Sequence, residues 1–206
     1  MSNFQNHWDS VYQSKPFDSV SWYAPHLNES INLIETLCPD RTSAIVDIGG
    51  GESTLVDDLL TKGYLNLSVL DISQKAIDFT KHRLGARAAD IAWHIGDITQ
   101  YQFGEKKFDL WHDRAVFHFL TDASSRMRYV ELVKRSVNPG GYVVMATFGP
   151  EGPLKCSGLD VVRYDESKLH RQFGEHFELM GSQIEHHKTP MGGDQQFLYC
   201  WCRVNF

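Results

Sequence analysis

The chain has 206 residues, 42% of them hydrophobic and 22% charged, with a formal net charge of −6. That length and composition fit one domain able to bury its own core. The acidic balance argues against broad nucleic-acid binding, which needs a basic face, and no apolar run approaches the ~18 residues that span a bilayer.

Residues 1–42 carry Trp8, Tyr12, Phe17, Trp22 and Tyr23, too many aromatics for a solvated tail, so they should fold back as a cap on a core spanning 43–206. Residues 43–48, with β-branched Val and Ile, read as a first strand. In 52–62, Leu55, Val56, Leu59 and Leu60 recur at helical spacing, and Gly63 ends the run. "LNLSVLDIS" reads as a second strand ending at Asp71. Ser73 then caps the helix "QKAIDFTKHRL", which Gly85 closes. "DIAWHIGD" and "KFDLWHDR" read as strands three and four. A helix over 121–137 follows, with Met127, Val130, Val133 and Val137 expected on its buried face and "NPGG" breaking it. "YVVMATF" is a fifth strand, 149–160 a loop and "DESKLHRQFG" a short helix. "HFELMGSQIEHH" and "DQQFLYCWCRV" are separated by too few residues for a crossover helix, so they should pair antiparallel. Strands alternating with helices imply a doubly wound α/β fold, its parallel sheet covered on both faces.

Ligands of such sheets bind beyond the carboxyl ends of the strands. The turn Gly49–Gly50–Gly51 lies there, and its missing β-carbons let backbone approach a ligand closely. A dinucleotide site would read G-x-G-x-x-G, but Thr54 holds the third glycine position and Glu52 would face a pyrophosphate. The stretch reads instead D-x-G-x-G-x-S, from Asp47 to Ser53, which suits a zwitterionic amino-acid ligand. Asp71 ends the second strand, where a carboxylate can take both hydroxyls of a ribose. Asp97 ends the third, within reach of an adenine amino group.

These motifs resemble those of the class I S-adenosylmethionine-dependent methyltransferases, over about 44–148. "VDIGGGES" looks like their first motif, "VLDIS" their second, "GDI" the adenine-binding step, and "FDLWHDRAVFHFL" and "VNPGGYVVMATF" the later ones. The resemblance implies a seven-stranded sheet ordered 3-2-1-4-5-7-6 with strand 7 antiparallel, and S-adenosyl-L-methionine as cofactor. It implies that Asp47, Gly49 and Gly51 lie by the methionine moiety, with Ser53 in place of the usual third glycine. Asp71 would hold the ribose, Ile72 would pack on adenine, and Asp97 and Ile98 would bind its edge. The opening "HWDSVYQSKPFDSVSWY" resembles a subgroup of many uncharacterised bacterial enzymes and of some protein-lysine methyltransferases. There it lies over the cofactor, so Tyr12 and Trp22 would wall the site.

For the transfer itself, the end of strand four offers His112, Asp113, Arg114 and His118. Imidazole titrates near neutrality, so His112 or His118 is a candidate base. Asp113 is a candidate orienting group, and Arg114 a candidate two-pronged anchor for an acidic acceptor. Cys156 stands beside Lys155, a cation that can lower a thiol pKa and so hint at a soft acceptor. Cys200 and Cys202 share one face of a strand as small apolar residues, while His186 and His187 point to opposite faces, and no metal site is expected.

The first expectation is methyl transfer to a small-molecule acceptor by in-line displacement. A protein lysine is the alternative acceptor, and a non-catalytic S-adenosylmethionine-binding module or a nicotinamide oxidoreductase the alternative classes. No signal peptide is recognised in "MSNFQNHWDS", and four scattered cysteines do not make a disulfide framework. A cytoplasmic monomer or homodimer is expected.

Overall fold

The computed structural model describes residues 3–104 and 107–205. One sheet holds β1 (Ala44–Ile48), β2 (Asn66–Asp71), β3 (Ile91–Ile95), β4 (Phe108–Arg114), β5 (Val137–Phe148), β6 (Phe177–Lys188) and β7 (Asp194–Val204). Its spatial order is β3-β2-β1-β4-β5-β7-β6, as the resemblance implies. The first five strands are parallel, and β7 runs antiparallel to both β5 and β6.

The helices are α1 (Asn3–Ser14), α2 (Asn28–Leu37), α3 (Leu55–Thr61), α4 (Gln74–Leu84), α5 (Ala123–Ser136) and α6 (Glu166–Phe173). Side chains alternate across the sheet and feed two cores. Val46, Ile48, Trp111, Val143 and Cys200 pack with Val130 and Val133 of α5 and Phe173 of α6. Ile45, Leu67, Val69, Leu110 and Val144 pack on the other face with Ile34 of α2, Val56 of α3 and Ile77 of α4. All five residues of β1 are buried, as a strand covered on both faces requires.

The caps follow local chemistry. Ser73, Asp122 and Asp165 each accept the N–H three residues on, at 3.3, 2.8 and 2.7 Å, to start α4, α5 and α6. Gly85 ends α4 with a positive φ.

Five expectations need correction. The first helix of the core starts at Leu55, not at 52, because Ser53 is used in the turn, its Oγ accepting the Leu55 N–H at 3.1 Å. Met127 is 62% exposed, and the buried face of α5 is Tyr129, Val130, Leu132, Val133 and Ser136. Val137 already belongs to β5. "NPGG" ends the helix but lies within β5 as an irregularity: β4 advances from Phe108 to Leu110 while its partner jumps from Val137 to Tyr142. Gly140, at φ +78°, accommodates that bulge. The 149–160 loop contains a short ribbon pairing Lys155–Cys156 with Leu159–Asp160.

Ile45→Ala should cost about 2–5 kcal/mol by leaving a cavity at the sheet centre, whereas Met127→Ala should stay within about 0.5 kcal/mol. Urea unfolding of the two variants checks the pair.

Candidate functional site

The strand ends β1, β2 and β4 meet at the glycine turn. Gly49 has φ +72°, and its N–H bonds to the Leu70 carbonyl at 2.7 Å. A Cβ on Gly49 would run into Val116, one on Gly50 into the Asp47 carboxylate, and one on Gly51 into Ala76 and Asp71. Bareness here is therefore demanded by packing as well as by any ligand. Helix α4 braces the turn from one side. Thr80 Oγ1 donates to the Gly51 carbonyl, and the Arg83 guanidinium donates to the carbonyls of Glu52 at 3.2 Å and Ser53 at 2.6 Å.

Two cavities open over these strand ends. The larger, of about 400 Å³, is lined by Gly49, Asp71, Ile72, Asp97, Ile98, Arg114, Tyr12 and Trp22, among others. The smaller, of about 40 Å³, is lined by Asp47, Glu52, Ser53 and His112, and shares Tyr12, Trp22, Gly49 and Arg114 with the first. Thus the structure brings together most of the residues singled out from sequence. Gly51 lies outside both linings and packs between Ala76 and Asp71.

Three aromatic rings roof the larger cavity from α1. Phe4, Trp8 and Tyr12 recur every four residues and so share one helical face, which lines it. Trp8 packs edge-on against Trp22 at 5.8 Å and Phe119 at 5.2 Å between ring centroids. Ser73 ties α1 down through a hydrogen bond to Asp9. The segment that follows is held by its backbone. His187 Nε2 meets the Ser21 carbonyl at 2.9 Å, Arg114 donates to the Trp22 carbonyl at 3.1 Å, and Thr54 donates to the Ala24 carbonyl at 2.9 Å.

The electrostatics are dominated by buried acids. Asp71 accepts the N–H groups of Gly51 at 3.0 Å and Ser73 at 2.8 Å, yet burial still pushes its carboxyl up to about 6. Burial, with the nearby Asp71 charge, raises Glu52 to about 7. Asp47 Oδ2 and Glu52 Oε2 are both buried without a protein partner. A pair of unpartnered carboxylate oxygens beside a glycine turn suits a ligand carrying an ammonium group. Burial, with the nearby charges of Asp71 and Glu52, holds the Tyr12 hydroxyl well above its ordinary value, so it remains a donor. Asp97 takes both the N–H and the hydroxyl of Thr99, at 2.9 and 2.7 Å. That leaves its second oxygen turned toward Gln100 at 3.4 Å.

The candidate catalytic residues are engaged by other groups of the protein. Asp113 is fully buried, lines neither cavity, and accepts from the N–H groups of Val116 at 2.8 Å and Phe117 at 3.1 Å and from the Tyr129 hydroxyl. It shapes the turn after β4 from outside both cavities. His118 is also fully buried and lines neither cavity. Its Nδ1 accepts the Phe148 N–H at 3.2 Å, and burial lowers its pKa to about 3. With its lone pair engaged, it does not offer a base. His112 spends both ring nitrogens on Asp47 and Ser30, at 2.7 and 2.9 Å. Arg114 does reach both cavities: its Nε and Nη1 donate to Tyr199 and to the Trp22 carbonyl, while Nη2, buried without a hydrogen-bond partner, lies 3.6 Å from Glu185, and the guanidinium stacks 4.2 Å from the Phe197 ring. Cys156 lines the larger cavity, but burial raises its thiol to about 11, and Lys155 pairs with Asp160 at 2.8 Å instead. The hint of an activated thiol is overturned. Phe4 belongs to no sequence motif and Phe119 has no assigned role in one, yet both line the roof, and Glu52, weighed from sequence only against a pyrophosphate, lines the smaller cavity. The four-residue spacing of Phe4, Trp8 and Tyr12 is the local signal for the roof.

Residues 45–141 match a family described as the methyltransferase domain. Among curated relatives, the chain is 23% identical over 176 residues to the eEF1A lysine and N-terminal methyltransferase of Danio rerio, covering 84% of this chain. It spans a quarter of that relative's length. The fold is shared with solved structures. One comes from work on the conversion of a disulfide bond into a thioacetal group during echinomycin biosynthesis, with TM-score 0.78, 18% identity, 98% of this chain and 93% of that chain. Another is the Burkholderia thailandensis 1,6-didemethyltoxoflavin-N1-methyltransferase, with bound 1,6-didemethyltoxoflavin and S-adenosylhomocysteine. Its TM-score is 0.70 at 17% identity, over 98% of this chain and 84% of that chain.

Asp113→Ala would strand two backbone donors and the Tyr129 hydroxyl. It should cost about 2–4 kcal/mol of folding stability, read by denaturant unfolding. A variant that loses turnover at unchanged stability would contradict the structural role.

Proposed function

We propose that this chain, an S-adenosylmethionine-dependent methyltransferase, methylates a small-molecule acceptor that enters beneath the aromatic cap. The observation that carries the reading is the roofed cavity itself. Its aromatic and apolar cover, from Phe4, Trp8, Trp22 and Phe119, encloses a space suited to a compact, largely apolar partner.

The residues fit the cofactor. Asp71 would take the ribose hydroxyls, Ile72 and Ile98 would pack against adenine, and Asp97 would accept from its amino group. Asp47 and Glu52 would accept from the methionine ammonium, whose charge their unpartnered oxygens suit. Gly49 lets the backbone pass close by, Ser53 lies along the smaller cavity, and Gly51 holds Asp71 in place. Tyr12 and Trp22, which line both cavities, would flank the junction between the methionine and acceptor sides. When bound, the cofactor supplies an electrophilic methyl group on sulfur. The chain's part is then to align the acceptor in line with that methyl and to exclude water. Arg114 would contribute by fixing the cap, and Asp113 by setting the turn at Val116. Because Asp113, His112 and His118 are engaged, the acceptor should bring its own lone pair at neutral pH, such as an aromatic ring nitrogen.

A second reading is methylation of a protein lysine or N-terminus. It is favoured by the described activity of the Danio rerio relative. The ring cluster of Trp8, Trp22 and Phe119 also suits a cationic side chain. Incubating the protein with radiolabelled S-adenosylmethionine and a cell extract separates the readings. Label in the small-molecule fraction supports the first, and label on a protein band overturns it in favour of the second. Tight binding without turnover on any fraction would leave a non-catalytic binding module.

Asp71→Ala should weaken cofactor binding by about 1–3 kcal/mol, measured by calorimetry. Affinity should also depend on pH with a definite sign. Asp71 and Glu52 titrate near 6 and 7, and donor groups of the ligand prefer their ionised forms. Binding should therefore strengthen as the pH rises from about 5.5 to about 7.5 and then level off. Flat affinity across that range would remove both carboxylates from the cofactor site.

A further inference from the structure

A single file of hydrogen bonds crosses the molecule beneath the cavities, and it uses two residues outside every motif. Arg114 Nε donates to the Tyr199 hydroxyl oxygen at 3.2 Å. Tyr199 and Ser30 meet at 3.1 Å, Ser30 and His112 Nε2 at 2.9 Å, and His112 Nδ1 and Asp47 Oδ1 at 2.7 Å. Ser30, His112 and Tyr199 are each wholly buried.

The direction of this file follows from its carboxylate end. The Asp47 carboxylate can only accept, so a neutral His112 ring carries its proton on Nδ1 and leaves Nε2 to accept from Ser30. Ser30, its one proton spent, accepts from Tyr199, and Tyr199 accepts from Arg114. Every bond points from the guanidinium toward the carboxylate. At one end, Asp47 presents its other oxygen, buried and unpartnered, and lines the smaller cavity. At the other end, Arg114 donates to the carbonyl of Trp22, the residue on which Trp8 of the cap helix packs.

We propose that Ser30 and Tyr199 are positioning residues, which couple occupation of Asp47 by the cofactor's ammonium group to the seating of the aromatic cap. A cation at the free oxygen of Asp47 competes with His112 for the carboxylate's charge. The response passes along a file in which each hydroxyl is both donor and acceptor. It reaches the guanidinium that holds the cap. The inference rests on the assignment of Asp47 to the methionine side of the site. In the absence of Ser30 or Tyr199, Asp47 still binds and Arg114 still holds Trp22, but the two no longer respond to each other.

The test uses Tyr199→Phe, Ser30→Ala and the double variant in the full chain, with S-adenosylhomocysteine as probe. Two quantities are read: affinity by calorimetry, and cofactor-induced protection of residues 16–25 from amide hydrogen exchange. Each single variant should bind about 5–10-fold more weakly, and each should lose the cofactor-induced protection while retaining a cooperative unfolding transition. The double variant should be no weaker than the weaker single variant within about twofold, because one break already interrupts the file. Additive losses, or protection that survives in Tyr199→Phe, would overturn the coupling. Should Ser30→Ala fail to fold, Tyr199→Phe alone decides through protection. Failure of the unaltered chain to bind S-adenosylhomocysteine would instead overturn the cofactor assignment beneath it.

Discussion

Asp47 and Asp71 are buried at the ends of neighbouring strands, and the chain between β1 and α3 must turn in the space they leave. That constraint accounts for the three glycines more directly than ligand approach does. A side chain on Gly50 would strike one carboxylate, and a side chain on Gly51 the other. The carboxylates in turn need the turn, since Asp71 takes its hydrogen bonds from Gly51 and from Ser73 at the start of α4. The first two strands, the glycine turn and α4 are thus one unit, closed by Thr80 and Arg83 onto the loop carbonyls.

The same burial leaves the site electrostatically unsatisfied. Asp71 and Glu52 are pushed toward protonation, and oxygens of Asp47 and Glu52 lack partners. Sheltering carboxylates this way increasingly opposes folding as the pH rises from about 4 to about 7, because the ionised forms have lost water without full compensation. A ligand that brings hydroxyl and ammonium donors relieves that cost. Stability forgone by the empty protein is thereby available to binding.

Much of the fold is legible in sequence because its signals are local. The alternation of apolar runs and helical stripes carries the order β-α-β, and strand-end acids follow at short, regular intervals. The terminal antiparallel pair is legible because "KTPMGG" is too short to cross the sheet. What escaped depends on partners far along the chain. His118 reads as an exposed base until Phe148, 30 residues on, claims its lone pair. Asp113 reads as an acceptor contact until Tyr129 and two backbone amides surround it. Nothing local marks Ser30 or Tyr199, which are 169 residues apart and meet only in the packed molecule. Met127 and the buried Val130 both fall on plausible helical stripes, and the sheet decides which stripe is covered.

The cap and the core differ in how they grip each other. His187, Arg114 and Thr54 hold the carbonyl oxygens of Ser21, Trp22 and Ala24, groups that every amino acid supplies. At these three points the attachment is indifferent to which side chains the cap displays, unlike at Asp9, whose carboxylate takes the Ser73 hydroxyl. Rings over the larger cavity can change in size or polarity while these three anchors stay in place and the carboxylates below stay untouched. Such a division lets the shape and polarity of the larger cavity drift by single substitutions in one short stretch, with no matching change needed in the core.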